Sequence, residues 1–226
     1  MTTRKHPDRQ ECMEFLRDYG TPGHVVGHCK SVAAVAYRLG RYINAAGGTK
    51  ALPLDDIELE QCTREDDGRR SYYRQKSTGE GDSRQLDLEL VLAAGLLHDM
   101  ARVEDRHWDV CADYLLERGY EEESRLIRVH MTYEFTNDGS HVTEVDLLCL
   151  GDRLSLEDRY AGLDKRMDYI IAKAERNGNP QARSRILAKK EQTRTLLKDI
   201  EKITGLSVDE MMRDLNYENT ENYELG

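Results

Sequence analysis

The sequence has no long apolar run and no paired cysteines. No stretch approaches the roughly 20 apolar residues of a membrane span, and no apolar core follows the N-terminal Met-Thr-Thr-Arg-Lys-His-Pro. These absences argue against a transmembrane helix and against a signal peptide. The five cysteines are scattered and include no C-x-x-C pair, a usage typical of a reducing cytosol rather than of a disulfide framework. We therefore expect a soluble, cytoplasmic protein.

Three common catalytic or phosphate-binding motifs are also missing. The chain has no Gly-rich loop ending in Gly-Lys-Ser/Thr, no Gly-x-Gly-x-x-Gly opening a helix, and no Gly-x-Ser-x-Gly elbow. The 43 Asp and Glu exceed the 33 Lys and Arg, and the formal charge of −10 argues against nucleic acid or a membrane surface as the main partner. A small phosphate ester held in a local basic pocket is compatible with this charge.

Apolar residues recur at steps of three and four, whereas β-branched clusters with period-two alternation are absent. This pattern predicts an all-α fold, and the length of 226 residues favours one domain. Residues 216–226 are polar, and we expect them to be frayed. Helices are predicted at 7–19, from His24 to a break at 45–53, at 86–102, from Trp108 to Gly119, and at 121–131, 143–153, 158–176, 181–203 and 207–215.

Residues 54–85 are predicted to be a polar insertion between the first core helix and the helix at 86–102. From about residue 63 to residue 84, Tyr72 and Tyr73 are the only large side chains, so this stretch buries too little apolar surface to hold itself in place. Long loops of this kind act either as a lid or as a passenger on the surface. We interpret this one as a mobile passenger.

One helix ends in an acid and a base. Eight apolar or small residues, Leu90 to Leu97, run without a charge into His98-Asp99, which indicates a helix buried on nearly all sides. A carboxylate and an imidazole at the end of such a helix must be paired or must coordinate a metal, because an isolated buried charge is costly. The doublet is therefore the first candidate for a functional site.

Four other residues share the apolar faces of predicted helices and can serve as partners of the doublet: His28, His107, His130 and Asp152. Each alone is more often an ordinary core residue, and Asp152 could cap a helix or pair with an arginine. Six inward-facing nitrogen and oxygen donors in one helical domain favour a metal site. Imidazole and carboxylate without thiolate suit Fe, Mn, Zn, Co or Ni. The spacing makes convergence possible without requiring it.

The order of these residues resembles the HD superfamily of metal-dependent phosphohydrolases. The resemblance runs from about residue 22 to residue 166, and residues 167–215 follow as C-terminal helices. It rests on the strings His-Cys-Lys-Ser-Val-Ala, Ala-Gly-Leu-Leu-His-Asp-Met-Ala-Arg and Leu-Gly-Asp-Arg-Leu. The symmetrical dinucleoside-tetraphosphate hydrolases are similar in their additional histidines. The resemblance implies one ion on His28, His98, Asp99 and Asp152, and a second on His107 and His130, with Asp99 bridging.

The resemblance also implies an activity. The expected enzyme cleaves a phosphomonoester or phosphoanhydride of a nucleotide-like small molecule, with water activated by divalent transition metals. Two ions are expected, Fe or Mn, with Zn, Co or Ni as other choices. A diiron oxygenase of the same superfamily needs a similar ligand set, and a regulatory module that binds a nucleotide or a metal without turnover is a third interpretation. The oligomeric state cannot be predicted from the sequence.

Cationic side chains near the ligands are candidates for stabilising phosphoryl charge, together with Asp99 as the catalytic bridging carboxylate. Arg102 lies one turn after His98, and Arg153 directly follows Asp152. Most of the 33 Lys and Arg are expected to lie on the solvated surface. The candidates for substrate binding are His24, Lys165 and Arg166, whereas His141 is assigned to a surface loop and His6 to the frayed start of the chain.

Overall fold

Helices dominate the computed structural model, which describes residues 5–53, 59–63, 71–75, 82–135, 138–179, 181–215 and 217. The helices are α1 (Arg9–Tyr19), α2 (Gly23–Ala45), α3 (Leu88–Leu97), α4 (His107–Leu116), α5 (Glu121–Val129), α6 (Glu144–Leu154), α7 (Leu163–Arg176), α8 (Ala182–Thr204) and α9 (Val208–Met211). A 3-10 turn, Gly139–His141, precedes α6. The described residues also include the short strands β1 (Leu59–Thr63), β2 (Ser71–Gln75), β3 (Ser155–Leu156) and β4 (Arg159–Tyr160). The prediction of an all-α class is confirmed.

Two small antiparallel hairpins, β1–β2 and β3–β4, depart from the predicted pattern. The second hairpin shortens the helix that was predicted at 158–176, which begins only at Leu163. Glu157 and Gly162 have φ values of 56° and 78°, and this left-handed backbone is incompatible with a continuous helix. The helix predicted at 86–102 also ends early, at Leu97, and turns closed by bonds such as Met100 N–H to the Leu97 carbonyl follow it.

Three helices of the core approach one another unusually closely through glycines. A side-chain carbon on Gly95 of α3 would lie 2.6 Å from Ala33 Cα of α2, and one on Gly151 of α6 would lie 2.6 Å from the carbonyl oxygen of Val32. Only glycine leaves room for backbones this near. His28, His98 and Asp152 lie within one helical turn of these contacts, so the packing of α2, α3 and α6 brings the ends of the motif together.

The described part of the predicted insertion is held by backbone hydrogen bonds. β1 and β2 pair from Leu59↔Gln75 to Thr63↔Ser71, and Tyr73 forms an isolated parallel bridge with Tyr133. The Tyr73 N–H donates to the carbonyl of Thr132, and its carbonyl accepts from Glu134 N–H. The strands are therefore attached to the main body through backbone groups, which side-chain composition does not report. Residues 54–58, 64–70 and 76–81 of the predicted mobile passenger lie outside the described residues.

The start of the chain is also more ordered than predicted. His6 was assigned to a frayed start, but it is 4% exposed and its Nδ1–H donates to Glu123 Oε1 at 2.7 Å. The frayed tail predicted at 216–226 lies outside the described residues apart from Tyr217. Within the described part of the chain, no helix combines the length and the apolar character needed to cross a membrane.

Candidate metal centre

The structure brings all six predicted ligands together from five helical segments. Within each of two triads, which share Asp99, the donor atoms lie within 4.8 Å of one another. The triads are His28, His98 and Asp99, and Asp99, His107 and His130. Asp152 joins the first triad through its Oδ1 atom, which lies 3.2 Å from His28 Nε2. We refer to these six residues as the His-Asp cluster.

The two oxygens of Asp99 face different histidines. Oδ2 lies 3.7 Å from His98 Nε2 and 3.9 Å from His28 Nε2. Oδ1 lies 2.9 Å from His107 Nε2 and 3.8 Å from His130 Nε2. His98 and Asp99 directly follow the last residue of α3. Because they are adjacent in the sequence, their side chains point in different directions. The carboxylate is thus placed between two groups of imidazoles, as a bridging ligand requires.

Backbone carbonyls fix the tautomers of three rings in the cluster. A carbonyl oxygen can only accept, so each Nδ1 carries a proton. The neutral rings of His98 and His130 therefore present the lone pair of Nε2, whereas the Nε2 of His28 faces the Asp152 carboxylate at 3.2 Å. Two of these Nε2 atoms, in His98 and His130, are buried and have no hydrogen-bond partner among the described residues. The Nδ1 bonds run from His98 to Gly95 at 2.9 Å, from His130 to Ile127 at 2.7 Å and from His28 to Glu157 at 3.1 Å.

The two buried rings are in the protonation state that a metal needs. Burial lowers the pKa of His98, and burial together with His98 lowers the pKa of His130 to about 4. Both imidazoles are therefore neutral near pH 7. A metal-ligating histidine must also be neutral, so neither residue has to lose a proton when an ion binds.

The carboxylates of the cluster are ionised despite their burial. Burial acts to raise the pKa of Asp99, but the hydrogen bond from His107 and the charge of Arg102 outweigh it and hold that pKa well below its usual range. The same competition, with the hydrogen bond to His28 and the charge of Arg166, holds the pKa of Asp152 well below its usual range. Burial lowers the pKa of His28, yet the hydrogen bond to Asp152 produces a net rise. The cluster thus combines negative charge with lone pairs.

Divalent cations fit this arrangement. Two buried imidazole nitrogens without partners and two ionised carboxylates are brought close together, and a cation satisfies both kinds of donor at once. The donors are nitrogen and oxygen, which suits Fe, Mn, Zn, Co or Ni. One ion would be held by His28, His98, Asp99 and Asp152, and another by Asp99, His107 and His130.

Arg102 lies beside Asp99 and His107. Its Nη1 lies 3.4 Å from Asp99 Oδ1 and 3.0 Å from His107 Nε2, and its side chain is 39% exposed. The guanidinium therefore lies at the rim of the cluster with access to solvent. This position is compatible with contact to a phosphoryl group.

Arg153 lies in a different environment from the one its predicted catalytic role requires. It is buried, donates to the Tyr133 carbonyl at 2.7 Å and to Thr193 Oγ1 at 3.2 Å, and stacks over the ring of Phe135. Adjacent residues on a helix point about 100° apart, so Arg153 faces the core while Asp152 faces the cluster. The sequence neighbour of a ligand is thus a packing residue, and the structure gives no support to its proposed contact with substrate.

The three candidate substrate-binding residues lie in three different settings. Arg166 Nη2 donates to Asp152 Oδ1 at 2.9 Å, so Arg166 orients one carboxylate of the His-Asp cluster. Lys165 is exposed and lines a cavity of about 610 Å³ together with Arg194 and Lys198. His24 is exposed on the first turn of α2. Only Arg166 makes a hydrogen bond to the His-Asp cluster among these three.

Two residues near the cluster escaped the sequence analysis. Lys189 donates its Nζ to the carbonyl of Met131, directly after the ligand His130. Glu157 supplies the carbonyl that fixes the ring of His28. Neither role leaves a pattern in the neighbouring sequence, because each depends on a hydrogen bond between a side chain and the backbone carbonyl of a residue far away in the chain.

A family model described as HD domain matches residues 25–172, more than half of the 226 residues. The chain belongs to the HD domain family. The matched range contains the entire His-Asp cluster, and the resemblance seen in the sequence is confirmed. No curated protein and no solved structure matches the chain. Membership places the protein in a superfamily of metal-dependent phosphohydrolases.

Proposed function

We propose that this HD domain protein is a metal-dependent hydrolase of a phosphomonoester or phosphoanhydride in a small, nucleotide-like molecule. The observation that carries the proposal is the geometry of Asp99, which directs one oxygen to each of two histidine groups. One ion would be held by His28, His98, Asp99 and Asp152 and the other by Asp99, His107 and His130, and together they would supply the chemistry of two-metal phosphohydrolases. We further propose Fe or Mn as the ions, with Zn, Co or Ni able to use the same donors.

The protein supplies position and charge. When bound, the ions act as Lewis acids and lower the pKa of a coordinated water. Asp99 would supply one oxygen to each ion, and Arg166 keeps Asp152 in place through the 2.9 Å hydrogen bond. Arg102, half-exposed beside Asp99, is proposed to neutralise the charge that develops on the phosphoryl oxygens.

Substrate recognition is proposed to lie on the exposed side of the cluster. Lys165 and His24 are exposed and can contact the phosphate chain or the organic part of the substrate. Lys165 lines a cavity with Arg194 and Lys198, and the carboxylates of Asp164, Glu201 and Asp209 line the same cavity, so its charge is mixed. Arg194 pairs with Asp164, and none of the residues that line this cavity belongs to the His-Asp cluster.

The test is a panel of phosphorylated small molecules incubated with protein loaded with Mn²⁺ or Fe²⁺. Phosphate release should be abolished by Asp99→Ala, since both ion positions lose a ligand. Asp113→Ala is the matched control, because Asp113 is 63% exposed and pairs with Arg128 on the surface. Far-ultraviolet circular dichroism and elemental analysis should show intact helices in both variants and loss of metal only in the first.

Other results would exclude the proposal. An unchanged rate in Asp99→Ala would contradict the role of the bridging carboxylate. Oxygen consumption linked to a small organic substrate, without phosphate release, would indicate oxygenase chemistry. Tight nucleotide binding with no turnover in any metal would indicate a regulatory module.

A further inference from the structure

Four consecutive backbone carbonyls follow the end of α5, and each accepts a hydrogen bond from a distant part of the chain. They belong to residues 130–133, which we call the 130–133 turn. The donors are Cys149 Sγ to His130 at 3.5 Å, Lys189 Nζ to Met131 at 3.2 Å, Tyr73 N–H to Thr132 at 3.2 Å and Arg153 Nη2 to Tyr133 at 2.7 Å.

These donors lie on three separate elements. Cys149 and Arg153 belong to α6, Lys189 to α8, and Tyr73 to β2 of the insertion. Burying an ammonium or a guanidinium costs free energy unless it is hydrogen-bonded. Lys189 is half-buried, and burial together with Arg153 lowers its pKa to about 8. Lys189 and Arg153, two partly desolvated cations, thus both donate hydrogen bonds to backbone carbonyls of the 130–133 turn.

The turn carries a ligand of the His-Asp cluster. His130 closes α5, and its Nε2 lies 3.8 Å from Asp99 Oδ1. Its ring is bonded through Nδ1 to the Ile127 carbonyl, so the ring moves with the local backbone. Displacement of the 130–133 turn therefore displaces Nε2 relative to Asp99. His28 lies on α2 and His98 directly follows α3, and neither helix supplies any of the four donors; Asp152 shares α6 with Cys149 and Arg153, so Lys189 and Tyr73 are the donors that lie on elements without a ligand of the first ion.

We propose that Lys189 and the insertion strand β2 are positioning elements for the second ion, acting through the backbone that carries His130. The inference rests on the two-ion site of the proposed function. It gives the insertion a specific role, since the Tyr73 N–H is one of the four donors. It also gives Arg153 a role through the Tyr133 carbonyl rather than through the substrate.

The test is titration of the full-length, metal-free protein with Mn²⁺. Lys189→Met removes the ammonium and should weaken the second ion about 10- to 100-fold while leaving the first unchanged, the range found for residues that orient metal ligands. Lys189→Arg keeps a donor and should restore binding. Lys190→Met is the matched control, because Lys190 pairs instead with Asp164 and Asp168. Calorimetry measures the affinities, and the paramagnetic resonance signal of a coupled Mn²⁺ pair reports the second ion.

A second variant tests the insertion. Tyr73→Pro removes the backbone N–H that bonds Thr132 and should weaken the same ion selectively, since proline has no donor. Tyr73→Phe keeps that N–H and should bind two ions as the parent protein does. Circular dichroism and thermal unfolding are compared across all variants, so that general unfolding is separated from loss of one ion.

The outcomes distinguish this inference from the proposed function. Parent-like affinities for both ions in Lys189→Met overturn the inference even if the parent protein hydrolyses phosphate esters. A parent protein that binds one ion also overturns it. Two ions in the parent and one in Lys189→Met support it, even if none of the phosphorylated compounds is cleaved and the proposed function fails.

Discussion

The N-terminal segment offers a quantitative test of electrostatics outside the metal centre. His6 is 4% exposed, and its two ring nitrogens face carboxylates. Nδ1 lies 2.7 Å from Glu123 Oε1, and Nε2 lies 3.1 Å from Asp87 Oδ2 and 3.5 Å from Glu122 Oε2. Lys5 also contacts Asp87 and Glu122. Burial lowers the pKa of His6, but the carboxylates outweigh it and raise this pKa from 6.5 to about 9.

The magnitude follows from this shift. A rise of about 2.5 pKa units corresponds to about 3.4 kcal/mol at 1.36 kcal/mol per unit. Asp87 is 35% exposed at its side chain, and solvent screening reduces the expected contribution to about 2 kcal/mol. Because the folded pKa is raised, the stabilisation is fully present below pH 6.5 and is lost as the pH rises towards 9. His6→Gln, which carries no charge, should therefore be less stable by about 2 kcal/mol at pH 6 and by little at pH 9.5.

Urea unfolding followed by circular dichroism at both pH values measures this difference. The titrations of the His-Asp cluster are common to both proteins and cancel. His24→Gln is the control, because it makes the same substitution at an exposed histidine on the first turn of α2. A destabilisation by His6→Gln that is constant with pH, or that grows above pH 9, would refute the assignment of an imidazolium at His6.

Two further predictions concern packing and the two arginines. Gly95→Leu should lower the free energy of unfolding by about 3 kcal/mol, because its Cβ would lie 2.6 Å from Ala33 Cα. Thermal unfolding measures this loss. A melting temperature equal to that of the parent protein would contradict the close approach of α2 and α3. Arg153→Met should lower the free energy of unfolding by about 2 kcal/mol, because the Tyr133 carbonyl loses a buried donor. Arg102→Met should change the free energy of unfolding by less than about 0.5 kcal/mol and should lower the rate of hydrolysis instead. Equal unfolding free energies for the two arginine variants would contradict this division of roles.

The helices and the order of the ligands could be predicted because their signals are local. The run from Leu90 to Leu97 has no charged residue, and burial on nearly all sides is its direct consequence. Spacing placed His28, His130 and Asp152 on inward faces, since a helical repeat determines which side chains share a face. The structure brings His28 and His130 to Asp99 and brings Asp152 to His28, an outcome that spacing alone had left open.

The remaining features depend on contacts between distant residues. Arg153 follows a ligand in the sequence, yet its environment is set by Tyr133, Thr193 and Phe135 from other elements. His6 has no local partner, because its carboxylates lie more than 80 positions away. The attachment of β1 and β2 to the main body also could not be predicted, because the backbone hydrogen bonds that hold them leave no pattern in side-chain composition. Such roles require the fold before they can be assigned.

The spread of the His-Asp cluster along the chain has a consequence for the lifetime of the protein. Its members extend from residue 28 to residue 152, so the cluster forms only when α2 to α6 have assembled. An ion that binds the assembled site and not the unfolded chain stabilises the native state by mass action. It acts as a reversible cross-link between segments made early and late during synthesis. We expect resistance to proteolysis, and hence cellular abundance, to follow the supply of the metal.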